Sequence, residues 1–413
     1  MSNSYDNIYK LIKFTNSKVD YFEGTKKYIS TGDSDDIENG QEVTFDNKPS
    51  RANVMGSAGD ILIAKMANTN KVILLDNDTQ NNIYSTGFYC LNSTKLFNKY
   101  LFYLLSNDEF NKEKDSWSFG TTQVSLNENG FKRIKINFVS DIIKQMKISK
   151  FLDKKVLLLD KILENQQRQI EKLKEYKQSL ISEVVTKGLD PNVEFKESGI
   201  DWIGNIPSKW KVIRIKDFTK LKGRIGWQGL TTSDYIEEGP LLITGTDFSN
   251  GSIDWTTCVH ISEDRFNEAP EIHVKENDLL ITKDGTIGKV AIVRNLENKA
   301  SLNSGVLLIR VLENFNFDKS FIYFVLQSDS FWVWYNSSQT GGSTIKHLYQ
   351  NQFSYFSFAY PDIDEQRHIS GYLYSRVSKI DKLIEMKNSK IDKLNDYKKS
   401  LIYEFVTGKK EVS

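Results

Sequence analysis

Two stretches of the chain carry apolar residues at alternating spacings of three and four, the pattern of a long helix that packs along one seam. Polar residues interrupt both seams at the same two places, and such interruptions cost stability but can fix register and partner choice. The pattern predicts two long helices. The first seam is Val156, Leu159, Leu163, Gln166, Ile170, Leu173, Lys177, Leu180 and Val184, and the second is Val377, Ile380, Ile384, Lys387, Ile391, Leu394, Lys398, Leu401 and Phe405.

The two helical stretches are copies of one another. An offset of 221 residues pairs 148–186 with 369–407, and 18 of these 39 positions are identical. The best block, KLKEYKQSLISEVVT, becomes KLNDYKKSLIYEFVT in the second copy. A match that extends over the whole stretch indicates an internal duplication.

The segments before each helix also match, although more weakly. Residues 59–75 resemble 277–293, and both indicate a β-hairpin, with Asp284-Gly285 as a tight-turn signal in the second copy. Residues 119–127 resemble 341–349, each a Gly/Ser/Thr loop after an aromatic-rich, helix-like run. The chain is therefore predicted to repeat a mixed globular domain followed by a long helix.

A short linker separates the copies. Gly188 is expected to end the first helix, Pro191 to prevent its resumption and Pro207 to begin the next domain. The predicted fold class is α+β, with two tandem mixed α/β domains, each followed by a long helix, and the two helices in an antiparallel coiled coil with pseudo-two-fold symmetry. The predicted boundaries are domain 1 at 1–147, helix 1 at 148–188, the linker at 189–206, domain 2 at 207–368 and helix 2 at 369–413.

Composition supports a soluble protein with several cores. A chain of 413 residues with 39% hydrophobic residues exceeds the usual single-domain size. There is no apolar run of about 18 residues and no signal-peptide pattern at the N-terminus, so a cytoplasmic protein is expected. Cys90 and Cys258 lie in strand-like runs, which favours two buried thiols over a disulfide or a metal site.

Charge is balanced overall but unevenly distributed. The net charge is +1, whereas the two helical segments hold 9 basic against 6 acidic and 10 basic against 6 acidic residues. The first globular segment is neutral and the second is acidic, with 18 basic and 24 acidic residues. Binding to DNA would therefore need a locally basic face or basic partner subunits.

Known catalytic motifs are missing from the sequence. Six prolines, none adjacent to another, exclude the Asn/Asp-Pro-Pro-aromatic motif of amino-methyltransferases. The run Gly-Thr-Ile-Gly-Lys at 285–289 is too short for a phosphate-binding loop and precedes a strand. Pro361-Asp362 favours a turn into helix 2 over a nuclease motif. Four histidines lack metal-ligand spacing, namely His260, His273, His347 and His368.

Two segments resemble the specificity subunits of type I restriction-modification systems. The linker TKGLDPNVEFKESGIDWIGNIPSKW (186–210) is similar to that family's central conserved region. The phrase IDEQRHISGYL (363–373), together with the helix that follows, is similar to its C-terminal conserved region. The first copy departs from the pattern, since it lacks the Ile-Pro-x-x-Trp of 206–210, and 140–152 lacks Glu-Gln-Arg.

The resemblance implies a non-catalytic subunit that binds one bipartite site on double-stranded DNA and docks two methyltransferase subunits. Those partners would carry S-adenosylmethionine and methylate an adenine in each half-site. Restriction subunits, which are translocases and nucleases, would complete the enzyme and use ATP and Mg. No cofactor is expected on this chain.

Each domain, called a target-recognition domain in that family, is then expected to place loops in the major groove, where every base pair shows a distinct donor and acceptor pattern. Arginine and lysine suit guanine edges or phosphates, and glutamine suits adenine. A solvated loop residue remains the alternative for each candidate singly. The candidates are Lys222, Arg224, Trp227, Gln228, Thr246, Lys283, Lys289, Ser343, Thr344, Lys346 and His347 in domain 2, and Arg51, Lys65, Lys71, Thr121, Thr122 and Gln123 in domain 1.

The helices are expected to set the distance between the two reading domains. A seam of about 30 residues is roughly 45 Å long at about 1.5 Å per residue, which equals some 13 base pairs. The exposed helix faces are candidates for methyltransferase docking, with a solvated face as the alternative. The residues selected there are Lys172, Tyr176, Lys393 and Tyr397.

Two other readings of the sequence stay open. The chain could be a non-enzymatic DNA-bridging or regulatory protein that acts alone, in which case it would bind DNA tightly without partners. A coiled-coil scaffold with no DNA role is the other alternative, although it gives no reason for two large globular copies with different sequences.

Overall fold

The computed structural model describes residues 3–32, 40–121, 123–225, 230–339 and 346–412. The chain divides into two compact units. Unit 1 comprises Met1–Gln167 and Lys387–Ser413, and unit 2 comprises Arg168–Met386. Each unit therefore contains one globular domain together with one part of each long helix.

Unit 1 contains short strands, three short helices and a helix that it shares with unit 2. A 3-10 turn at Ile8–Leu11 and another at Thr79–Asn81 connect strands. The elements are β1 (Asn3–Asn7), β2 (Ile12–Phe14), β3 (Lys26–Ile29), β4 (Gln41–Val43), β5 (Ala52–Val54), β6 (Ile61–Ala64), β7 (Val72–Leu74), β8 (Ile83–Ser85), β9 (Phe88–Ser93), α1 (Asn98–Leu105), α2 (Asp108–Ser116), α3 (Glu128–Phe131), β10 (Lys135–Val139) and the shared α4 (Ile142–Lys187).

Unit 2 repeats this order with additions. Two further 3-10 turns lie at Thr232–Asp234 and Pro270–Ile272. The elements are β11 (Phe195–Glu197), β12 (Asn205–Pro207), β13 (Lys211–Arg214), α5 (Ile215–Phe218), β14 (Thr219–Gly223), β15 (Tyr235–Ile243), β16 (Phe248–Ser249), β17 (Ser252–Ile253), β18 (Val259–Ile261), α6 (Glu263–Asn267), β19 (Leu279–Thr282), β20 (Val290–Ile292), β21 (Ala300–Leu302), β22 (Val306–Val311), α7 (Lys319–Val325), α8 (Asp329–Ser338), α9 (Gln350–Phe353), β23 (Ser357–Tyr360) and the shared α10 (Ile363–Val406).

The sheets of the two units correspond. A four-stranded antiparallel sheet has the order β2-β9-β6-β7 in unit 1 and β14-β22-β19-β20 in unit 2. A second sheet has the order β4-β3-β8-β5 in unit 1 and β18-β15-β21 in unit 2. It contains one parallel pair in each unit, β3-β8 and β15-β21. The pairs β1-β10 and β13-β23 complete the match. The predicted α+β class with two tandem mixed domains is confirmed.

Both predicted hairpins form. Ile61 pairs with Leu74 in unit 1, and Leu279 pairs with Ile292 in unit 2. Every residue of β6 and β19 is buried, because one face packs on the helices and the other on the second sheet. That double burial explains why the sequence of these strands is continuously apolar instead of alternating.

The heptad seams are confirmed in α4 and α10, since all the seam positions given above are buried or half-buried. The helix segments run antiparallel within each unit. In unit 1, Phe151 contacts Phe405 while Asp160, nine residues further along α4, meets Lys398. In unit 2, Lys177 meets Asp381. Eleven residues after Lys177, Gly188 lies against Glu365, which precedes Asp381 in α10.

The polar residues that interrupt each seam bind polar side chains of the other helix. The Lys398 amine contacts an Asp160 carboxylate oxygen at 2.6 Å in unit 1, and the Lys177 amine contacts Asp381 at 2.6 Å in unit 2. These two ion pairs occupy equivalent positions of the duplication. Lys387 also donates to the Gln166 side chain at 3.4 Å. Because each cation finds a partner on the other helix, the interruptions favour this register over a shifted one.

The long helices begin at Ile142 and Ile363, six residues before the boundaries expected at 148 and 369. Each start is fixed by an aspartate side chain. Asp141 accepts from the amide of Ile143 at 2.8 Å, and Asp362 accepts from the amide of Glu365 at 2.9 Å. The interpretation of Pro361-Asp362 as a turn into helix 2 is thus consistent with the cap.

One buried glutamine follows each cap. Gln145 accepts from the amide of Phe97 at 2.8 Å and donates to the carbonyl of Val139 at 2.7 Å. Gln366 makes the equivalent bonds with Asp318 and Pro361. The first copy therefore lacks the flanking Glu and Arg of Glu-Gln-Arg but keeps the glutamine, which the sequence comparison did not register.

Gln145→Leu is expected to lower the free energy of unfolding by about 1–3 kcal/mol, because a buried amide and a buried carbonyl both lose their partner. Denaturant unfolding of the full chain measures the change. Gln167→Leu on the exposed side of the same helix is the control and should change stability by less than about 0.5 kcal/mol. Equal effects of the two substitutions would contradict a clamping role for Gln145.

Each hydrophobic core combines a globular domain with both long helices. In unit 1 the strands and α1 pack against the first part of α4 and the last part of α10. In unit 2 they pack against the last part of α4 and the first part of α10. The helix residues in these cores are Ile148, Leu152, Leu159, Leu401, Ile402, Phe405 and Val406 in unit 1, and Leu180, Ile181, Val184, Val185, Ile369, Leu373 and Ile380 in unit 2.

The linker between the copies is folded. It contains the antiparallel hairpin β11-β12, and the Trp202 indole donates to the carbonyl of Ser357 at 3.0 Å. Gly188, with φ +79°, follows the last residue of α4 as predicted. Cys90 and Cys258 are buried free thiols, which confirms that prediction.

Candidate nucleic-acid interface

Three loops of unit 1 meet at Lys65, the first residue after β6. The amide of Lys65 donates to the carbonyl of Gly87 at 2.8 Å, and the carbonyl of Lys65 accepts from the amide of Leu126 at 2.7 Å. The amide of Ala67 also donates to the carbonyl of Val124. These bonds hold the tip of the β6-β7 hairpin, the β8-β9 turn and the Gly/Ser/Thr loop together.

The same arrangement occurs in unit 2 at Lys283. Its amide donates to the carbonyl of Gly305 at 2.8 Å, and its carbonyl accepts from the amide of Leu348 at 3.0 Å. Lys283 lies 218 positions after Lys65, within the offset of the duplication. We call these two points the Lys65 junction and the Lys283 junction. The backbone that brings the loops together is thus conserved between the copies while the loop sequences differ.

A buried aspartate fixes the base of each hairpin. Asp60 accepts from the amide of Ser57 at 3.0 Å and from the side chain of Asn92 at 2.6 Å. Asp278, its equivalent, accepts from the amide of Lys275 at 2.7 Å and from the Arg310 guanidinium at 2.9 Å. The Asp278 carboxylate raises the pKa of Arg310.

Most of the candidates in domain 1 lie around the Lys65 junction. Arg51 is exposed, and its carbonyl accepts from Thr86, next to Gly87. Thr121 and Gln123 are exposed in the Gly/Ser/Thr loop. Thr122 lies outside the described residues.

Two lysine candidates of domain 1 are less available. The Lys65 amine donates to the carbonyl of Thr86 at 2.8 Å and lies 4.3 Å from the ring centre of Tyr89. Burial lowers the pKa of Lys65. Lys71, at the other end of the hairpin loop, is 7% exposed. A base contact by either amine would require it to leave its present environment.

The candidates of domain 2 that the structure describes lie on the loops joined at the Lys283 junction and on the adjoining strands. Thr246 is exposed, and its neighbour Gly245 accepts a hydrogen bond from the Lys289 amine at 3.2 Å. His347 contacts the Asp284 carboxylate through Nδ1, which ties the Gly/Ser/Thr loop to the hairpin tip. Lys346 is exposed, and Lys222 and Lys283 are half-buried. Trp227, Gln228, Ser343 and Thr344 lie outside the described residues.

Arg224 differs from the other candidates because it is only 2% exposed. Its Nε donates to the carbonyl of Leu302 at 2.8 Å, and Nη2 donates to the Ser301 hydroxyl at 3.2 Å. Desolvation lowers the pKa of Arg224. The guanidinium fastens the end of β14 to β21, so a contact with a base would require it to leave both partners.

The sequence analysis missed two charged residues at the hairpin of domain 1, Lys114 and Asp115. They end the polar helix α2, whose sequence DEFNKEKDS indicates a solvated surface. Lys114 is instead 1% exposed and contacts the hairpin tip. Nothing in a run of charged residues distinguishes a buried lysine from its exposed neighbours.

The candidate docking residues on the helices are all exposed, with Tyr176 and Tyr397 at 56% and 55%. Further large apolar side chains, which the sequence analysis did not select, are exposed on the same helices. They include Leu157, Leu158, Leu383 and Met386.

Neither a cluster of metal ligands nor a membrane-spanning helix occurs among residues 3–32, 40–121, 123–225, 230–339 and 346–412. No group of three or more His, Cys, Asp or Glu side chains is placed to hold a metal ion. No helix among those residues combines the length and apolar character needed to cross a membrane.

Comparison with known proteins gives two kinds of match. The family model described as the type I restriction modification DNA specificity domain matches residues 9–174 and 207–408. The type I restriction enzyme MjaVIII specificity subunit of Methanocaldococcus jannaschii is 25% identical over 318 residues, which cover 76% of this chain and 70% of that protein. The putative MjaX specificity subunit of the same organism is 25% identical over 325 residues, or 78% and 70%.

Solved structures share the fold. A chain from a study of complex assembly and conformational transition of the type I R-M system superimposes with a TM-score of 0.74 at 16% identity, covering 98% of this chain and 97% of that one. The HsdS subunit of Thermoanaerobacter tengcongensis gives a TM-score of 0.50 at 17% identity, with the same coverage. Since the family model matches most of the chain in two copies, this protein belongs to the family of type I restriction-modification DNA specificity subunits.

Proposed function

We propose that this chain reads a bipartite site on double-stranded DNA, with one half-site recognised by each globular domain, and that it positions partner subunits without a catalytic centre of its own. The observation that carries the proposal is the pair of junctions at Lys65 and Lys283. At each junction, three loops are held together by the same pattern of backbone hydrogen bonds. A repeated scaffold with different loop side chains is what two readers of different sequences require.

The chemistry of the loops suits recognition in the major groove. Arg51 and Gln123 in domain 1, and Lys283 and Lys346 in domain 2, offer cations and an amide that match guanine and adenine edges. Phosphate contacts would fix the register of each domain on the duplex, while base contacts would specify it. Because the net charge of the chain is only +1, we expect partner subunits to supply part of the affinity for DNA.

The helices are the proposed docking surfaces. Tyr176 and Tyr397, with the nearby Lys172 and Lys393, are exposed at equivalent positions of α4 and α10. A repeated surface could accept two copies of one partner, and we propose that these are methyltransferase subunits carrying S-adenosylmethionine. Restriction subunits that use ATP and Mg would join the same cytoplasmic complex.

A segment exchange tests this function. Residues 207–368 are replaced by the equivalent segment of a relative that directs methylation to a different sequence, and the chimera is expressed with a methyltransferase subunit that methylates DNA together with the parent chain. We expect one half of the methylated site to change, while the other half stays as in the parent. Genome-wide mapping of methylated adenines measures both halves.

The matched control is exchange of residues 1–139, which ends before the Asp141 cap. It should change the complementary half-site. If either chimera altered both halves, the assignment of one half-site to each domain would be wrong. Tight, sequence-specific binding by the chain alone, with no methylation in the presence of partners, would favour the stand-alone DNA-bridging alternative.

A further inference from the structure

The hairpin tip of domain 1 is held by the end of α2. The Lys114 amine donates to the carbonyls of Met66 and Thr69, at 3.3 and 2.5 Å. These two carbonyls lie on opposite sides of the tip, so one cation bridges its base. Its nearest carboxylate, that of Asp115, is 3.9 Å away, and the hydrogen bonds of the amine are directed to the hairpin.

The next residue also binds the tip. The Asp115 carboxylate accepts from the amide of Asn68 at 3.1 Å. Asn68 has φ +59°, in the left-handed region that a side chain rarely adopts. Asp115 therefore stabilises the residue at which the hairpin turns, while Lys114 binds the carbonyls on either side of it. We call this arrangement the Lys114-Asp115 grip.

Domain 2 supports its hairpin in another way. The Thr282 hydroxyl donates to the carbonyl of Thr286 at 2.6 Å and accepts from the amide of Lys289 at 2.9 Å. Trp332 lies against Gly288 so closely that a Cβ atom there would be 2.5 Å from its ring. Trp332 lies on α8, which begins at Asp329, 221 positions after the first residue of α2, so the equivalent helix supports the hairpin by an apolar contact instead of an ionic one.

We propose that Lys114 and Asp115 are positioning residues that set the base discrimination of domain 1, although neither side chain contacts DNA. This inference rests on the proposed function, because it takes the hairpin tip to be a reading element. It assigns a specificity role to two adjacent residues of α2, a helix that lies outside the recognition loops.

The physical reason is the cost of burying a cation whose hydrogen bonds go to backbone carbonyls and whose nearby carboxylate, that of Asp115, is 3.9 Å away. Lys114 is only 1% exposed, so its amine is desolvated, and this burial lowers the pKa of Lys114. A methionine would fill a similar volume without the desolvation cost, but it would leave the carbonyls of Met66 and Thr69 without their donor. The ammonium contributes a fixed geometry, because its two hydrogen bonds hold the hairpin carbonyls in place. Base readout depends on that geometry, since recognition fails when a donor or acceptor moves by about 1 Å.

The test uses Lys114→Met in the full chain, expressed with the same methyltransferase subunit as in the segment exchange. Domain 1's half-site is the one that the exchange of 207–368 leaves unchanged. We expect the ratio of methylation at the parental half-site to methylation at singly substituted half-sites to fall by about tenfold. Discrimination at the other half-site should stay within twofold of the parent.

Lys112→Met is the matched control, since Lys112 is exposed on the same helix and its substitution should leave both half-sites as in the parent. Asp115→Ala should relax domain 1's half-site, whereas Asp115→Asn keeps an oxygen acceptor for the Asn68 amide and should restore discrimination. This rescue separates positioning from general destabilisation. Asp115 is 31% exposed, so its variants carry the test if Lys114→Met does not fold.

The inference is overturned if folded Lys114→Met or Asp115→Ala keeps the parental discrimination at domain 1's half-site, or if both half-sites relax equally. Failure of the proposed function looks different. In that case the parent complex itself would show no bipartite methylated site, or the exchange of 207–368 would change both halves.

Discussion

Asp278→Ala is expected to lower the free energy of unfolding of unit 2 by roughly 2–4 kcal/mol. The side chain of Asp278 is 4% exposed, and it accepts from Arg310 and from the amide of Lys275. Removing it takes the carboxylate acceptor away from both donors at the base of the β19-β20 hairpin. Arg310 is 29% exposed and keeps its bond to the carbonyl of His273, so water and this bond recover part of the loss.

Tryptophan fluorescence during denaturant unfolding measures this change selectively. Six of the seven tryptophans lie in Arg168–Met386, and only Trp117 lies in unit 1. Arg310→Asn is the control, because it recreates the pair that Asp60 makes with Asn92 in unit 1. It should cost less than Asp278→Ala, since the buried carboxylate keeps a donor.

Asp60→Ala provides a second comparison. Its partner Asn92 is neutral, so removal of the carboxylate leaves no unpaired charge, and we expect a loss of about 1–2 kcal/mol in unit 1. A stability change below about 0.5 kcal/mol for Asp278→Ala would mean that the ion pair does not support the hairpin. Equal costs for Asp278→Ala and Arg310→Asn would contradict the importance of the unpaired guanidinium.

The long helices could be predicted from sequence because their packing depends on periodicity. A seam with spacing three and four buries the same face whatever the partner is, and every predicted seam position is buried or half-buried. The starts of the helices expected from the sequence, 148 and 369, lie six residues after the starts in the structure. Their caps depend on single aspartates, Asp141 and Asp362, and the match between the copies is weak there.

The meeting of the loops could not be predicted in the same way. The bonds at Lys65 and Lys283 are made by backbone atoms, so the side chains carry no signal for them. For Arg224 the side chain does carry a signal, but the signal is misleading. Arginine in a Gly-rich segment is typical of a residue that contacts DNA, yet here a carbonyl and a hydroxyl of β21 bind its guanidinium. Residue type indicates possible chemistry, whereas burial decides which partner is available.

Both long helices are shared by the two units, and lengthening them is expected to produce the largest change in specificity. α4 passes from unit 1 to unit 2 after Gln167, and α10 returns after Met386. Residues inserted at those two points lengthen both helices while leaving the pairs Asp160–Lys398 and Lys177–Asp381 within their own units. The number of base pairs between the half-sites should respond if the helices set it.

Four residues inserted after Gln167 and four after Met386 are expected to lengthen the spacer by one or two base pairs and to leave both half-sites unchanged. Four helical residues add about 6 Å and rotate the helix by about 40° beyond a full turn. One base pair adds about 3.4 Å and rotates the duplex by about 35°, so translation and rotation change in similar proportion. Mapping methylated adenines in cells that carry the parent or the variant measures the spacer.

Insertion into α4 alone is the matched control for this experiment. The two helices would then differ by about 6 Å between the same two ion pairs, so Asp160–Lys398 and Lys177–Asp381 could not both form, and activity should fall well below that of the double insertion. An active double-insertion variant that methylated the parental site with the parental spacer would show that some other part of the complex determines the spacing. A changed half-site in that variant would instead mean that the helices act on base recognition, because the insertion points lie outside the loops at Lys65 and Lys283.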